Sequence, residues 1–332
     1  MTDTPGTPAI LAPIDGSRFS EDALPLAATV ARTLSADIHV ARVHELFFTP
    51  PVSDMAIVPP IDPRVDADMR KTQSEELART AASLRTAAGR PVHATLLDGP
   101  VSLALREHAD TVGAALIIMT THGRGGFART LLGSVATDLV HDGRQPVLLV
   151  RPRDGHAPAA PDLIDHALIP LDGSALSEAA IAPALWLLRD RGTVTLFRAV
   201  APVSMEMAPS IVPLAIGDSH LLDEEVRTAR EYLEHIATTL RARGLTVHIT
   251  VVTHPSAATA IVDEILARPP HFVSMATHGR SGIPRMVMGS VTDTVLRHVD
   301  VPVLLFRPTL TGTAGAVTAS SSPARATVTT HT

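Results

Sequence analysis

The sequence contains no cysteine. That excludes disulfide staples, thiolate nucleophiles, zinc ribbons and cysteine-held iron–sulfur clusters together. Aromatic residues are almost as scarce, with seven Phe, one Tyr and one Trp making up 3% of the chain. Since 45% of residues are nonetheless hydrophobic, the core has to be aliphatic, and a flat ligand would meet Leu, Ile, Val and Ala. Lysine occurs once, at Lys71. A P-loop, G-x-x-x-x-G-K-[ST], needs a lysine in its glycine loop and is therefore excluded. No apolar run approaches the roughly 18 residues of a membrane-spanning helix. The net charge is −6 and forms no basic stripe, which argues against a nucleic-acid partner. The first residues, "MTDTPGTPAI", lack the charged and apolar regions of a signal peptide. These absences lead to the expectation of a soluble, cytoplasmic protein with neither membrane nor nucleic acid as partner.

What is present is a duplication. "APIDGS" at 12–17 returns as "IPLDGS" at 169–174, and "QPVLLVRP" at 145–152 as "VPVLLFRP" at 301–308. "MTTHGRGGFARTLLGSV" at 119–135 returns as "MATHGRSGIPRMVMGSV" at 275–291, with ten of seventeen positions identical. The offset is 157 residues from Asp15 to Asp172 and 156 from Gly123 to Gly279. Two copies in such close register are one structural unit written twice. The length of 332 residues suits two domains of about 100–200 residues each.

Each copy alternates strand and helix patterns. In the first, "AILAPID" reads as a strand, "SEDALPLAATVARTL" as one helix, "DIHVARV" as a strand, and 66–89 as a long helix closed by Gly89. "PVHATLL", "ALIIM" and "PVLLVRP" complete five strands, with helices at "PVSLALREHADTV" and "SVATDLVHDG". "ALIIM" is a continuous apolar run, as expected where both faces of a parallel sheet are covered. The fold class is thus α/β: two tandem doubly wound domains, each a five-stranded parallel sheet with helices on both faces. The expected boundaries are 1–153 for the first domain, 154–165 for a linker and 166–308 for the second. A low-complexity tail, 309–332, is expected to be disordered.

In an open parallel sheet, ligands bind beyond the carboxyl ends of the strands. The repeated loop lies at such a place, after the fourth strand. Gly123 and Gly126 permit close backbone approach. Gly133 and Ser134 open a helix whose free N–H groups favour an anion, and the Ser134 hydroxyl either caps that helix or meets a phosphate oxygen. Arg124 and Arg129 carry guanidinium forks suited to phosphate. The same set recurs as Gly279, Arg280, Gly282, Arg285, Gly289 and Ser290. His122 and His278 also recur, without a repeated acidic partner, and are read as loop-fixing groups. Asp15 and Asp172 are open to two readings, a ligand contact or a turn aspartate that caps the next helix.

"Asp-Gly-Ser" after the first strand, "H-G-R-x-G" after the fourth, and Gly-x9-Gly-Ser twice resemble the universal stress protein family in its tandem two-domain form. The resemblance covers about 10–152 and 166–308. It implies an adenine nucleotide alpha hydrolase-like fold that binds ATP, with a divalent ion such as Mg²⁺, in a cleft of each domain. By position, Asp15 and Asp172 then face the ribose and adenine end, and Val43 and Ala199 line the adenine. Gly123, Gly126, Gly133 and Ser134, with their counterparts, hold the phosphates. The resemblance also implies pairing of the two fifth strands, making the chain an intra-chain pseudo-dimer; further homodimerisation is left open. The family's first motif glycine is Thr120 in one copy and Ala276 in the other, and Gly99 is matched by His254. Side chains at these places are expected to narrow the nucleotide cleft, and the first site is expected to be the better one. No repeated carboxylate is placed to activate water. The reading is an ATP-binding protein of stress response and signalling with slow hydrolysis at most. The alternative is a nucleotide-free scaffold for dimerisation and protein partners.

Overall fold

A computed structural model describes residues 7–44, 62–121, 132–152, 161–202, 218–277 and 289–308. The first unit runs β1 (Ala9–Pro13), α1 (Arg18–Glu21), α2 (Leu24–Leu34), β2 (Asp37–His44), α3 (Pro63–Ala88), β3 (Val92–Asp98), α4 (Val101–Thr111), β4 (Ala114–Thr120), α5 (Ser134–Asp142) and β5 (Val147–Val150). The second repeats it as β6 (His166–Pro170), α6 (Ala175–Glu178), α7 (Ile181–Leu188), β7 (Thr193–Val200), α8 (Asp218–Ala242), β8 (Thr246–Thr253), α9 (Ala257–Ala267), β9 (Phe272–Ala276), α10 (Ser290–His298) and β10 (Val303–Phe306).

Within each unit all strand pairs are parallel. The two sets join through one antiparallel seam, with Val303 opposite Leu149 and Leu304 opposite Leu148. The result is a single ten-stranded sheet in the order β3-β2-β1-β4-β5-β10-β9-β6-β7-β8. The seam covers two apolar edges that would otherwise template aggregation.

Alternation along the strands splits the core between the two faces of the sheet. Ile10, Ala12, Ile38 and Val40 pack beneath α2, α3, α7 and α8. Leu11, Ala41, Ile117 and Leu149 face α4, α5, α9 and α10. Both cores draw residues from both units. The segment read as one helix after the first strand is two. Ser17 caps α1 by accepting from the Ser20 N–H, and α2 starts anew with a proline in its first turn. Proline fits there because a helix's first N–H groups have no partner anyway. The tail 309–332 and most of the linker 154–165 fall outside the described residues.

Candidate functional site

The carboxyl ends of β1 and β6 each run into an Asp-Gly-Ser turn. Asp15 accepts the Ser17 N–H at 2.8 Å; Asp172 accepts the Ser174 N–H at 2.8 Å and its hydroxyl at 2.6 Å. These are Asx-type turns, in which a short carboxylate ties down the backbone two residues on. Capping falls to the serines instead: Ser17 and Ser174 are the N-caps of α1 and α6. The carboxylates are thus turn-formers but not helix caps. Burial pushes the Asp172 carboxyl up, but the hydrogen bonds from Ser174 and Ser177 outweigh it and hold the pKa below the ordinary carboxylate value.

The glycine of each turn has a positive φ, +81° at Gly16 and +91° at Gly173. An arginine from the neighbouring strand lies over it. A Cβ on Gly16 would come within 2.7 Å of the Arg42 guanidinium, and one on Gly173 within 3.1 Å of Arg198. Arg42 is buried and bonds Glu76 of α3 at 2.8 Å. At the position of Glu76 the second unit has Tyr232, whose ring lies 5.2 Å from the Arg198 guanidinium carbon. Tyr232 in turn donates to Glu178 at 2.8 Å. The sequence reading missed both arginines, although their 156-residue offset marks them as part of the repeat. An arginine at a strand end reads by default as solvated.

In the second unit these elements enclose a cleft of about 250 Å³, close to the lower end of the roughly 300–1,000 Å³ range of ligand pockets. Asp172 and Ser174 of the turn after β6, and Gly289, Ser290 and Thr292 at the start of α10, line it. Ala199, Ile261, Met275 and Ala276 supply apolar wall. The residues brought together thus include four of those expected from sequence: Asp172, Ala199, Gly289 and Ser290. Ala276, at the place of the family's first motif glycine, is among the residues that line this cleft. His254 does not line it; its Nδ1 is turned onto Ser256 of its own turn.

Gly289 and Gly133 are the N-caps of α10 and α5, and neither helix has a side-chain cap. Ser134 and Ser290 are the first helical residues, so the capping role expected of Ser134 is not realised. Among the described residues no side chain caps the first turn of either helix, and a helix start of that kind favours an anion. In the first unit Asp15 and Val43 occupy the positions of Asp172 and Ala199: Val43 pairs in register with Leu97 as Ala199 does with Val252. The expected Gly123, Arg124, Gly126 and Arg129, and Gly279, Arg280, Gly282 and Arg285, lie outside the described residues.

The family model of the universal stress proteins matches residues 7–151 and again 164–307. The chain belongs to the universal stress protein family. Among curated relatives, a universal stress protein of Mycolicibacterium smegmatis is 29% identical over 196 residues, 59% of this chain and 62% of that protein. One of Mycobacterium tuberculosis is 30% identical over 197 residues, 58% and 62% respectively. The match therefore spans less than two thirds of these relatives. Among solved structures, a universal stress protein from Archaeoglobus fulgidus has a TM-score of 0.63 at 19% identity, over 90% of this chain and 98% of that one. A functionally unknown protein from Pseudomonas aeruginosa has a TM-score of 0.56 at 15% identity, over 91% and 93%. Both share the tandem universal stress fold across nearly the whole of this chain. No helix among the described residues is long and apolar enough to cross a membrane.

Proposed function

We propose that this universal stress protein binds ATP in the cleft of each unit, as a binding protein of stress response and signalling in the cytoplasm and not as a fast enzyme. The observation that carries the reading is the second cleft, where an ionised Asp172 faces a helix start with a glycine cap. Hydroxyl groups of a ribose suit the first, a chain of phosphate oxygens the second. The apolar wall of Ala199, Ile261 and Met275 suits an adenine ring. The repeated arginines 124, 129, 280 and 285 add the positive charge a polyphosphate needs. Mg²⁺ fits the same chemistry, with Asp172 as an oxygen donor from the protein and phosphate oxygens completing its shell. Grip on a ground state does not by itself speed hydrolysis, so turnover is expected to be slow.

The scaffold reading is favoured by one observation, Thr120 buried where the family's first motif glycine stands. Two measurements separate the readings. Mass spectrometry of small molecules released on denaturation, and equilibrium dialysis against Mg·ATP, should find one to two adenine nucleotides per chain. Finding none at saturating ATP leaves the scaffold.

A further inference from the structure

Where α4 packs on the sheet face opposite α3 there are three imidazoles that the nucleotide reading does not use, half-buried His39 and His108 and exposed His93. His39 of β2 and His93 of β3 are paired in register on adjacent strands. Their rings stack with centroids 4.7 Å apart and planes 24° from parallel. His108 of α4 meets His39 edge-on at 6.0 Å, and its Nε2 is buried with no hydrogen-bond partner. Stacking of this kind suits neutral rings; two imidazolium ions at that separation repel.

Little negative charge stands by to compensate. On β2, Asp37 is the one carboxylate acting on His39, and it is shared with Arg90 at 3.2 Å. On α4, Asp110 is taken by Gln145, and Glu107 is exposed. From α5, Asp138 holds Ser102 and Asp142 faces Arg106, while His141 is a further imidazole with a buried, unpartnered Nε2. β1 offers Leu11 opposite His39. No group of His and acidic residues among those described is arranged to hold a metal ion.

The second unit differs at the same positions. The counterpart of His39 is Thr195, which bonds the Nε2 of His166 at 2.9 Å, and that of His108 is Glu264. His248 pairs with Thr195 in register. There Asp165 pairs with His271 at 3.0 Å. Among the described residues no imidazole rings stack in this unit.

α4 is also a wall of the first site. Its Val101 and Leu105 correspond, at an offset of 156, to Ala257 and Ile261 of α9, which line the second cleft. We propose that His39, His93 and His108 form an acid-sensing latch: protonation drives the stacked rings apart and loosens α4 and β3, opening the wall of the first cleft and not that of the second. The latch stands on the ring cluster; its effect on a nucleotide rests on the reading above.

The sign follows from the two groups concerned. Burial, then His93 and His108, lower the pKa of His39 despite Asp37; burial lowers that of His108. The closed form therefore binds protons less well than the open form. Its advantage is complete above the ordinary histidine value of 6.5 and is lost as the pH falls below it. Burial, His271 and His248 also lower His166, against Asp165 and Glu264; the smaller response expected of the second unit rests on geometry, since no imidazole rings stack among its described residues.

The test is amide hydrogen exchange of the full chain without nucleotide, followed by mass spectrometry, at pH 7.5 and 5.5 after correction for intrinsic rates. An imidazole excluded from protonation in the closed form contributes about a tenfold loss of protection at pH 5.5. Residues 92–111 should show at least that loss, and 246–267 much less. His39→Thr, which installs the residue the fold accepts at Thr195, should abolish the difference; His93→Asn, at an exposed position, does the same should the first variant fail to fold. Equal loss in both segments, or a response that survives in the folded variants, overturns the latch. A latch seen in a chain that binds no nucleotide defeats the binding reading alone; nucleotide binding without the response defeats the latch alone.

Discussion

At the scale of single residues, the site is organised by the turn that follows the first strand of each unit. Gly16 and Gly173 need a left-handed backbone, which costs an ordinary residue about 1–3 kcal/mol. An alanine at Gly16 must also displace the guanidinium of Arg42, which is buried and pinned to Glu76. Arg198 lies farther off, on a tyrosine face. Gly16→Ala should therefore destabilise by about 2 kcal/mol and Gly173→Ala by about 1, compared by urea midpoints. Asp172→Asn keeps an acceptor for Ser174 but removes the charge. We expect about tenfold weaker ATP binding at the second site, the size of one charged hydrogen bond. Calorimetric titration checks it, alongside a cooperative melt, lowered at most by the lost charge–hydrogen-bond stabilisation, that shows the variant to be folded. The Asp-Gly-Ser turns, Gly289 and Ser290 were legible from sequence because each is repeated and each has a distinctive local chemistry; Ala199, matched by Val43, came only from the resemblance to the family. The layer behind them was not. Glu76 and Tyr232 share a position without sharing a residue type, so a search for identities passes over the pair that holds each arginine.

At the scale of elements, the order of strands and helices was legible because each fully covered strand is a short apolar run between turn residues. The break between α1 and α2 was hidden by helical spacing that continues across Asp22 and Ala23; Pro25 was the signal that a new helix begins. The seam between β5 and β10 is short, so its apolar side chains have to be tightly covered. Leu148 is fully buried and Leu304 is 1% exposed. Leu304→Ala should cost about 2–5 kcal/mol through lost burial and the cavity left behind. Leu266→Ala, in the same unit on a side chain 66% exposed, should stay within about 0.5 kcal/mol. Similar losses in the two variants would mean that the seam carries little of the stability.

At the scale of the whole molecule, the two units share both cores, and Arg189 of the second reaches the Thr33 carbonyl of the first at 2.7 Å. Heat should therefore unfold the chain in one cooperative step, with calorimetric and van't Hoff enthalpies in agreement; two resolved transitions would show the units to be independent. Because strands run parallel inside each unit but reverse across the seam, their carboxyl ends emerge on opposite margins of the slab. Whatever docks beside one mouth cannot touch the other from the same side. On the proposed reading, a single polypeptide would then offer its two binding sites to different neighbours at once.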